Sequence, residues 1–241
     1  MKHLLCCLAA LLSCSAVIAG EPNMKVLVVT GGHPFEREAF YKIFSDNPAV
    51  TFTAAEHDKA GATVWDRKDL ANFDAVAMYD MPMVITEAQK AGFLSLFQRG
   101  TGVLVLHHAL VSFPDWADYE RLIGGHYPKP PSGERQVTSK VGYEHGQEIP
   151  VVVLDPQHFI TRGLKDFTIH DEIYWGFRVG ADVHPLLTNT HPRAGKPIMW
   201  TREEGRSRLV YLQLGHDHSA YENAQYRTLV ARSLLWVTRR E

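Results

Sequence analysis

The chain has 241 residues, 45% of them hydrophobic, which is ample for a core and suits one globular domain. A formal charge of −2 and the lack of any basic run exclude an electrostatic case for nucleic-acid binding. Thirteen histidines are many for this length and direct attention to proton or metal chemistry.

The first nineteen residues read as an export signal. Lys2 and His3 form a short basic end, Leu4 to Ala16 is apolar or small, and Val17-Ile18-Ala19 suits cleavage before Gly20. The apolar stretch is short for a membrane span, so no transmembrane segment is expected in the mature chain. A periplasmic or secreted protein follows from cleavage. Leu11-Leu12-Ser13-Cys14 offers the alternative of a lipoprotein anchored through Cys14. All three cysteines, Cys6, Cys7 and Cys14, lie in this segment, so the mature domain would have no cysteine nucleophile, disulfide or thiolate ligand.

Met24 to Thr30 reads as a buried strand, and Gly31-Gly32-His33 as a loop permitting tight turning and close backbone approach. The spacing of a dinucleotide-binding glycine loop is absent. A helix is expected over Glu36 to Phe44, then strands at Val50–Ala55 and Phe73–Tyr79. Thr86 and Gln89 make a capping box for a helix that Gly100 closes. Gly102 to Leu106 is a short apolar run, as in a strand buried on both faces, and it ends in His107-His108. Adjacent rings on an extended strand diverge unless a turn re-aims them. The alternation of strands and helices predicts an α/β fold with a doubly wound, mostly parallel sheet.

Beyond Phe113 the rhythm changes. A short helix near Asp115–Ile123 precedes a proline-rich excursion over Tyr127–Glu134, and strands are expected at Gln136–Val141, Ile149–Leu154, Phe167–Tyr174 and Val183–Thr188. Pro197–Thr201 and Arg208–Leu214 form an antiparallel hairpin, expected at or near one sheet edge. A final helix starts near Asn223, with Tyr226, Leu229, Val230, Leu234 and Val237 on its apolar face. Trp116, Trp175 and Trp200 read as core residues more readily than as a sugar-stacking platform.

Polar residues gather where strands are expected to end: His33, His107-His108, His170-Asp171-Glu172 and His216-Asp217-His218. In an open α/β sheet such ends border the ligand crevice. Imidazole with carboxylate suits zinc, manganese or iron, although no local zinc signature such as H-E-x-x-H is present. Each group also has a structural reading: His33 as a helix cap, His170 facing solvent, Asp217 holding a turn.

Several of these stretches resemble the ThuA-like, or trehalose-utilisation, family. They are Val-Leu-Val-Val-Thr-Gly-Gly-His from Val26, Gly-Thr-Gly-Val-Leu-Val-Leu-His-His-Ala from Gly100, Asp-Glu-Ile-Tyr from Asp171, and Arg208 through Ser219. The resemblance spans residues 24–241 and implies a flavodoxin-like sandwich of the class I glutamine amidotransferase-like group. Where amidotransferases carry a catalytic cysteine, this chain has His107-His108-Ala109, which argues against cysteine-dependent glutaminase chemistry. The family is linked to disaccharide breakdown beside sugar-oxidising enzymes. The expected partner is therefore a small-molecule carbohydrate, such as a disaccharide or keto-glycoside, handled by a hydrolase or a lyase/isomerase. A non-catalytic sugar-binding module on the same crevice, or a scaffold whose histidines only hold loops, are the alternatives. The expected site has His107, His108 and Glu172 in catalysis and His33, Asp171, Tyr174, His216 and Asp217 around the substrate. His108, His216 and His218 are the expected ligands for a divalent metal such as zinc, if one is used.

Overall fold

The computed structural model describes residues 23–58, 61–128 and 140–241. The expected export segment, most of the proline-rich excursion and residues 136–139 of an expected strand lie outside them. No helix among the described residues is long and apolar enough to cross a membrane.

Among the described residues eleven strands occur in chain order: β1 (Met24–Gly31), β2 (Val50–Glu56), β3 (Ala75–Asp80), β4 (Gly102–Leu106), β5 (Gly125–His126), β6 (Gly142–Val153), β7 (Phe167–Trp175), β8 (Arg178–Val179), β9 (His184–Asn189), β10 (Met199–Glu204) and β11 (Ser207–Leu212). The helices are α1 (Arg37–Ser45), α2 (Glu87–Arg99), α3 (Ala117–Ile123), α4 (His218–Tyr221) and α5 (Ala224–Val237). Nine of the strands form one sheet in the order β2-β1-β3-β4-β11-β10-β9-β6-β7, and β5 pairs separately with β8. Pairing is parallel from β2 to β11 and antiparallel from β11 to β7.

Period-two alternation builds the parallel half. Val26, Val28, Leu104 and Leu106 pack on one face with α1 and α5, while Leu27, Val29, Val103 and Val105 pack on the other with α2 and α3. Both faces are covered, which is why Val26–Val29 of β1 and Val103–Leu106 of β4 are continuous apolar runs. The capping box forms as expected, with Gln89 N–H donating to Thr86 Oγ1 at 3.3 Å and Thr86 N–H to Gln89 Oε1 at 3.1 Å. Gly100 closes α2 in the left-handed conformation, φ 84°.

The hairpin β10–β11 is not at an edge. β11 joins β4 in parallel register, Leu209 beside Val103 and Leu212 beside Leu106, so the hairpin carries the sheet onward to β9, β6 and β7. The physical reason was in the sequence: Leu209, Val210, Tyr211 and Leu212 are consecutive apolar residues, all 0% exposed, and need cover on both faces. Trp116 and Trp200 are buried, and Trp200 donates to the Ile123 carbonyl at 2.8 Å, so both serve the core. Lys140 and Val141 form a bend before β6 rather than the end of a strand.

Candidate functional site

Three strand ends and one antiparallel strand converge. At the end of β4 the chain enters a tight helical turn, His107–Val111, and His107 takes φ 50°. A β-carbon makes this left-handed conformation cost about 1–2 kcal/mol. The turn re-aims both rings, whose centroids lie 5.4 Å apart at 81°. His107, fully buried, is directed at Glu172 of β7, and His108 toward His33 and Tyr79, with ring centroids 4.7 and 4.3 Å away.

Around His107 the partners are close. Its Nδ1 lies 2.6 Å from the Gln213 carbonyl, a contact that requires a proton on Nδ1. Nε2 lies 2.9 Å from Glu172 Oε2, 3.0 Å from the Tyr174 hydroxyl and 3.3 Å from His216 Nδ1. His216 Nδ1 is 3.4 Å from the same carboxylate oxygen, and His145 Nδ1 is 3.1 Å from Oε1. Burial pushes the Glu172 carboxyl up, but hydrogen bonds and charge from His107 and His216 outweigh it and hold the group well below the ordinary carboxylate range. The hydrogen bond to Glu172 in turn raises the proton affinity of His216, against a smaller opposing effect of burial.

β7 supplies two adjacent carboxylates with different tasks. Asp171 accepts from the backbone N–H groups of Gly215 at 2.7 Å, His216 at 3.0 Å and Glu172 at 2.8 Å. It is a brace for the loop that carries His216, not a group facing substrate. Gly215 makes that loop possible: its φ is 115°, and a β-carbon there would stand 2.4 Å from the Tyr226 hydroxyl. Tyr79 secures the same loop, its hydroxyl lying 2.9 Å from the Gly215 carbonyl and 2.7 Å from the Tyr221 hydroxyl. Glu172, one residue along, faces the opposite way, toward the histidines and a cavity.

That cavity measures about 200 Å³ and is lined by His33, Met81, His108, Val111, Tyr127, Tyr143, His145, Glu172 and Tyr174. Both ring nitrogens of His108 and the Tyr127 hydroxyl are buried and have no hydrogen-bond partner among the described residues. Burial, and then the neighbouring His107 and His33 rings, push the His108 pKa well below its ordinary value, so the ring is neutral. His33 is half-buried. Its Nδ1 lies 2.7 Å from the Pro34 carbonyl, so the proton sits on Nδ1 and Nε2 keeps its lone pair. Burial is also the main cause lowering the His33 pKa.

Of the expected residues, the structure gathers His33, His107, His108, Glu172, Tyr174 and His216. It does not gather His218 or Asp217. His218 turns away to Glu36, with Nδ1 2.9 Å from Oε1, and Asp217 caps α4 by accepting from Ser219 N–H at 2.9 Å. The expected ligand set of His108, His216 and His218 therefore does not form. Among the described residues, the group whose donor atoms all lie within 4.8 Å of one another is His107, Glu172 and His216. His170 faces solvent beside Glu148, at 2.9 Å.

Sequence reasoning missed His145, Tyr143 and Tyr127. On β6, Glu144 pairs with Ile173 and Gln147 with Asp171, so His145 and Gly146 together oppose Glu172. This is a bulge, with Gly146 at φ 66°, and it places the His145 ring over the carboxylate. A glycine inside an otherwise strand-like stretch was the available signal.

A doubly wound α/β domain with a histidine–carboxylate cluster at the strand ends defines the class of protein. The chain belongs to the ThuA family, described as trehalose utilisation, whose model matches residues 25–237. This family carries a carbohydrate-related role. A ThuA-like protein from Parabacteroides merdae ATCC 43184 superposes with a TM-score of 0.75 at 19% identity, over 90% of each chain. Another, from Bacteroides uniformis ATCC 8492, gives 0.69 at 20% identity, over 92% of this chain and 94% of that one. PurLQS from Thermotoga maritima gives 0.57 at 13% identity, over 89% of this chain and 99% of that one. These likenesses show the fold. A search of curated proteins finds no match.

Proposed function

We propose that this chain is an exported enzyme of carbohydrate breakdown that acts on a disaccharide or keto-glycoside by histidine–carboxylate proton transfer. One observation carries this reading. Unpartnered polar atoms of His108 and Tyr127 line a cavity with tyrosine rings and the acid–base cluster. Buried polar groups without partners are costly, about 1–3 kcal/mol each, and sugar hydroxyls would satisfy them. Tyrosine faces suit the apolar side of a pyranose.

The residues divide the work. Tyr127 and His108 take sugar hydroxyls and fix the ring. His33 Nε2, a neutral nitrogen in a cavity-lining ring, accepts the proton from a sugar carbon or from water. The His107–Glu172–His216 cluster polarises a sugar oxygen on the facing wall. His145 holds Glu172 Oε1, leaving Oε2 to the cluster.

The test is His33→Gln, at a half-buried position where folding tolerates change. Release of monosaccharide from trehalose and from its keto derivatives should fall by about 10²–10⁴. Binding of the same sugars, measured by calorimetry, should stay within a few-fold. Unchanged turnover would overturn the role of His33. Absence of both sugar binding and turnover in the wild-type chain would overturn the carbohydrate reading. Mass spectrometry of the chain recovered from the producing cells tests export, through cleavage after Ala19.

A further inference from the structure

We propose that His107 Nε2, Glu172 Oε2 and His216 Nδ1 together bind one divalent transition-metal ion of the zinc class. The inference rests on the cavity assigned above and names what makes its facing wall electrophilic.

Proton counting is the first support. Nδ1 of His107 spends its proton on the Gln213 carbonyl, so a neutral His107 directs a lone pair, not a hydrogen, at Glu172. Nε2 and the carboxylate oxygen are then two acceptors 2.9 Å apart, with His216 Nδ1 3.3 and 3.4 Å from them and the Tyr174 hydroxyl 3.0 Å from Nε2. Two acceptors that close need a shared proton or a cation beside them. A backbone carbonyl that fixes the tautomer of a ligating histidine is the usual outer partner of a metal site.

Edge lengths are the second. With bonds of about 2.1 Å, two ligands stand roughly 3.0 Å apart at an octahedral angle and about 3.4 Å apart at a tetrahedral one. The observed edges of 3.3 and 3.4 Å fall in that interval, and the third, 2.9 Å, lies just below its octahedral end.

Rigidity is the third. Asp171 clamps the backbone of His216, and His145 holds the other oxygen of Glu172, so two of the ligands are braced from behind. Glu172 also lines the cavity, which leaves the remaining coordination positions on the side where a sugar hydroxyl or carbonyl would stand. Two histidines and one carboxylate make a donor set that zinc accepts, and cobalt reports in the visible spectrum.

The experiment uses the untagged, chelator-treated chain, titrated with zinc by calorimetry and with cobalt by visible absorption. One equivalent should bind, with a cobalt band of reduced symmetry. Glu172→Gln and His216→Ala should each weaken binding by roughly 100-fold or more, as loss of a direct ligand exceeds the 10–100-fold typical of outer partners. His218→Ala should bind as the wild type does. Thermal unfolding in chelator identifies any variant that has lost its fold, and His216→Ala, whose side chain is partly exposed, guards against failure of Glu172→Gln. No stoichiometric binding to the wild type, or binding that survives both ligand variants, overturns the site. Metal binding is read without sugar, so its failure leaves the carbohydrate reading standing, and loss of sugar binding leaves the metal result intact.

Discussion

Among the described residues two histidine–carboxylate pairs are buried, and they differ in a way that burial does not reveal. His57 and Asp80 meet at 3.0 Å with side chains 1% and 0% exposed. His57 Nδ1 accepts from Val64 N–H at 3.0 Å, so Nε2 bears the proton and donates to Asp80; both nitrogens are satisfied. The ring packs edge-on to Trp65, away from the cavity walls. His107 and Glu172 meet at 2.9 Å with 0% and 4% exposure, yet face two further histidines, His216 and His145, and a cavity. Asp80 Oδ1 has no hydrogen-bond partner among the described residues, so what marks the first pair as structural is its distance from the cavity and not a balance of donors and acceptors. A buried pair beside a cavity, ringed by further histidines, has room for something else.

Altering one member of each pair should separate the two. Glu172→Gln is expected to lower turnover by about 10²–10⁴, because the cluster loses the charge that organises it. His57→Ala should leave turnover unchanged and lower unfolding free energy by about 3–5 kcal/mol, because it strands a buried carboxylate. Denaturant midpoints beside sugar-release rates check both, and an inactive His57 variant that keeps its stability would erase the distinction.

His108 sharpens the contrast from another side. Replacing it by Leu removes two unpartnered nitrogens at similar volume, so stability should hold or rise by about 1 kcal/mol while sugar affinity falls roughly tenfold. The ring's pKa is lower folded than unfolded, chiefly through burial. Its contribution to stability is therefore complete above the ordinary value of 6.5 and is lost as pH falls from there toward the folded value. Stability of the wild type should decline over that window, and the decline should flatten in His108→Leu. Urea midpoints from pH 7 down to about 5 test this; parallel slopes for the two chains would count against it. The smallest effect is expected from His218→Ala, which breaks only an exposed pair with Glu36 and should leave both turnover and the unfolding midpoint unchanged.

Much of the parallel half was legible, because its signals are local. Continuous apolar runs mark Val26–Val29 and Val103–Leu106, Thr86 and Gly100 bracket α2, and histidines stand where strands stop. The antiparallel half was less legible, because its contribution depends on pairing between distant residues. Gly146 hints at a bulge, but nothing near His145 says that it will stand against Glu172. Likewise, nothing in His216-Asp217-His218 tells which histidine turns inward; backbone donation to Asp171 decides it. The edge placement of the hairpin failed for a different reason: the apolar run Leu209–Leu212 already required two covered faces, and its turn chemistry was given more weight than its burial.

The claim that the cavity receives carbohydrate is tested most directly by a crystal structure of His33→Gln grown with trehalose or its keto derivative. The account predicts a sugar ring in the cavity beside Tyr127, with hydroxyls at hydrogen-bond distance from a His108 ring nitrogen and the Tyr127 oxygen. A sugar bound elsewhere, or a cavity in which His108 and Tyr127 remain unengaged at saturating sugar, would contradict it.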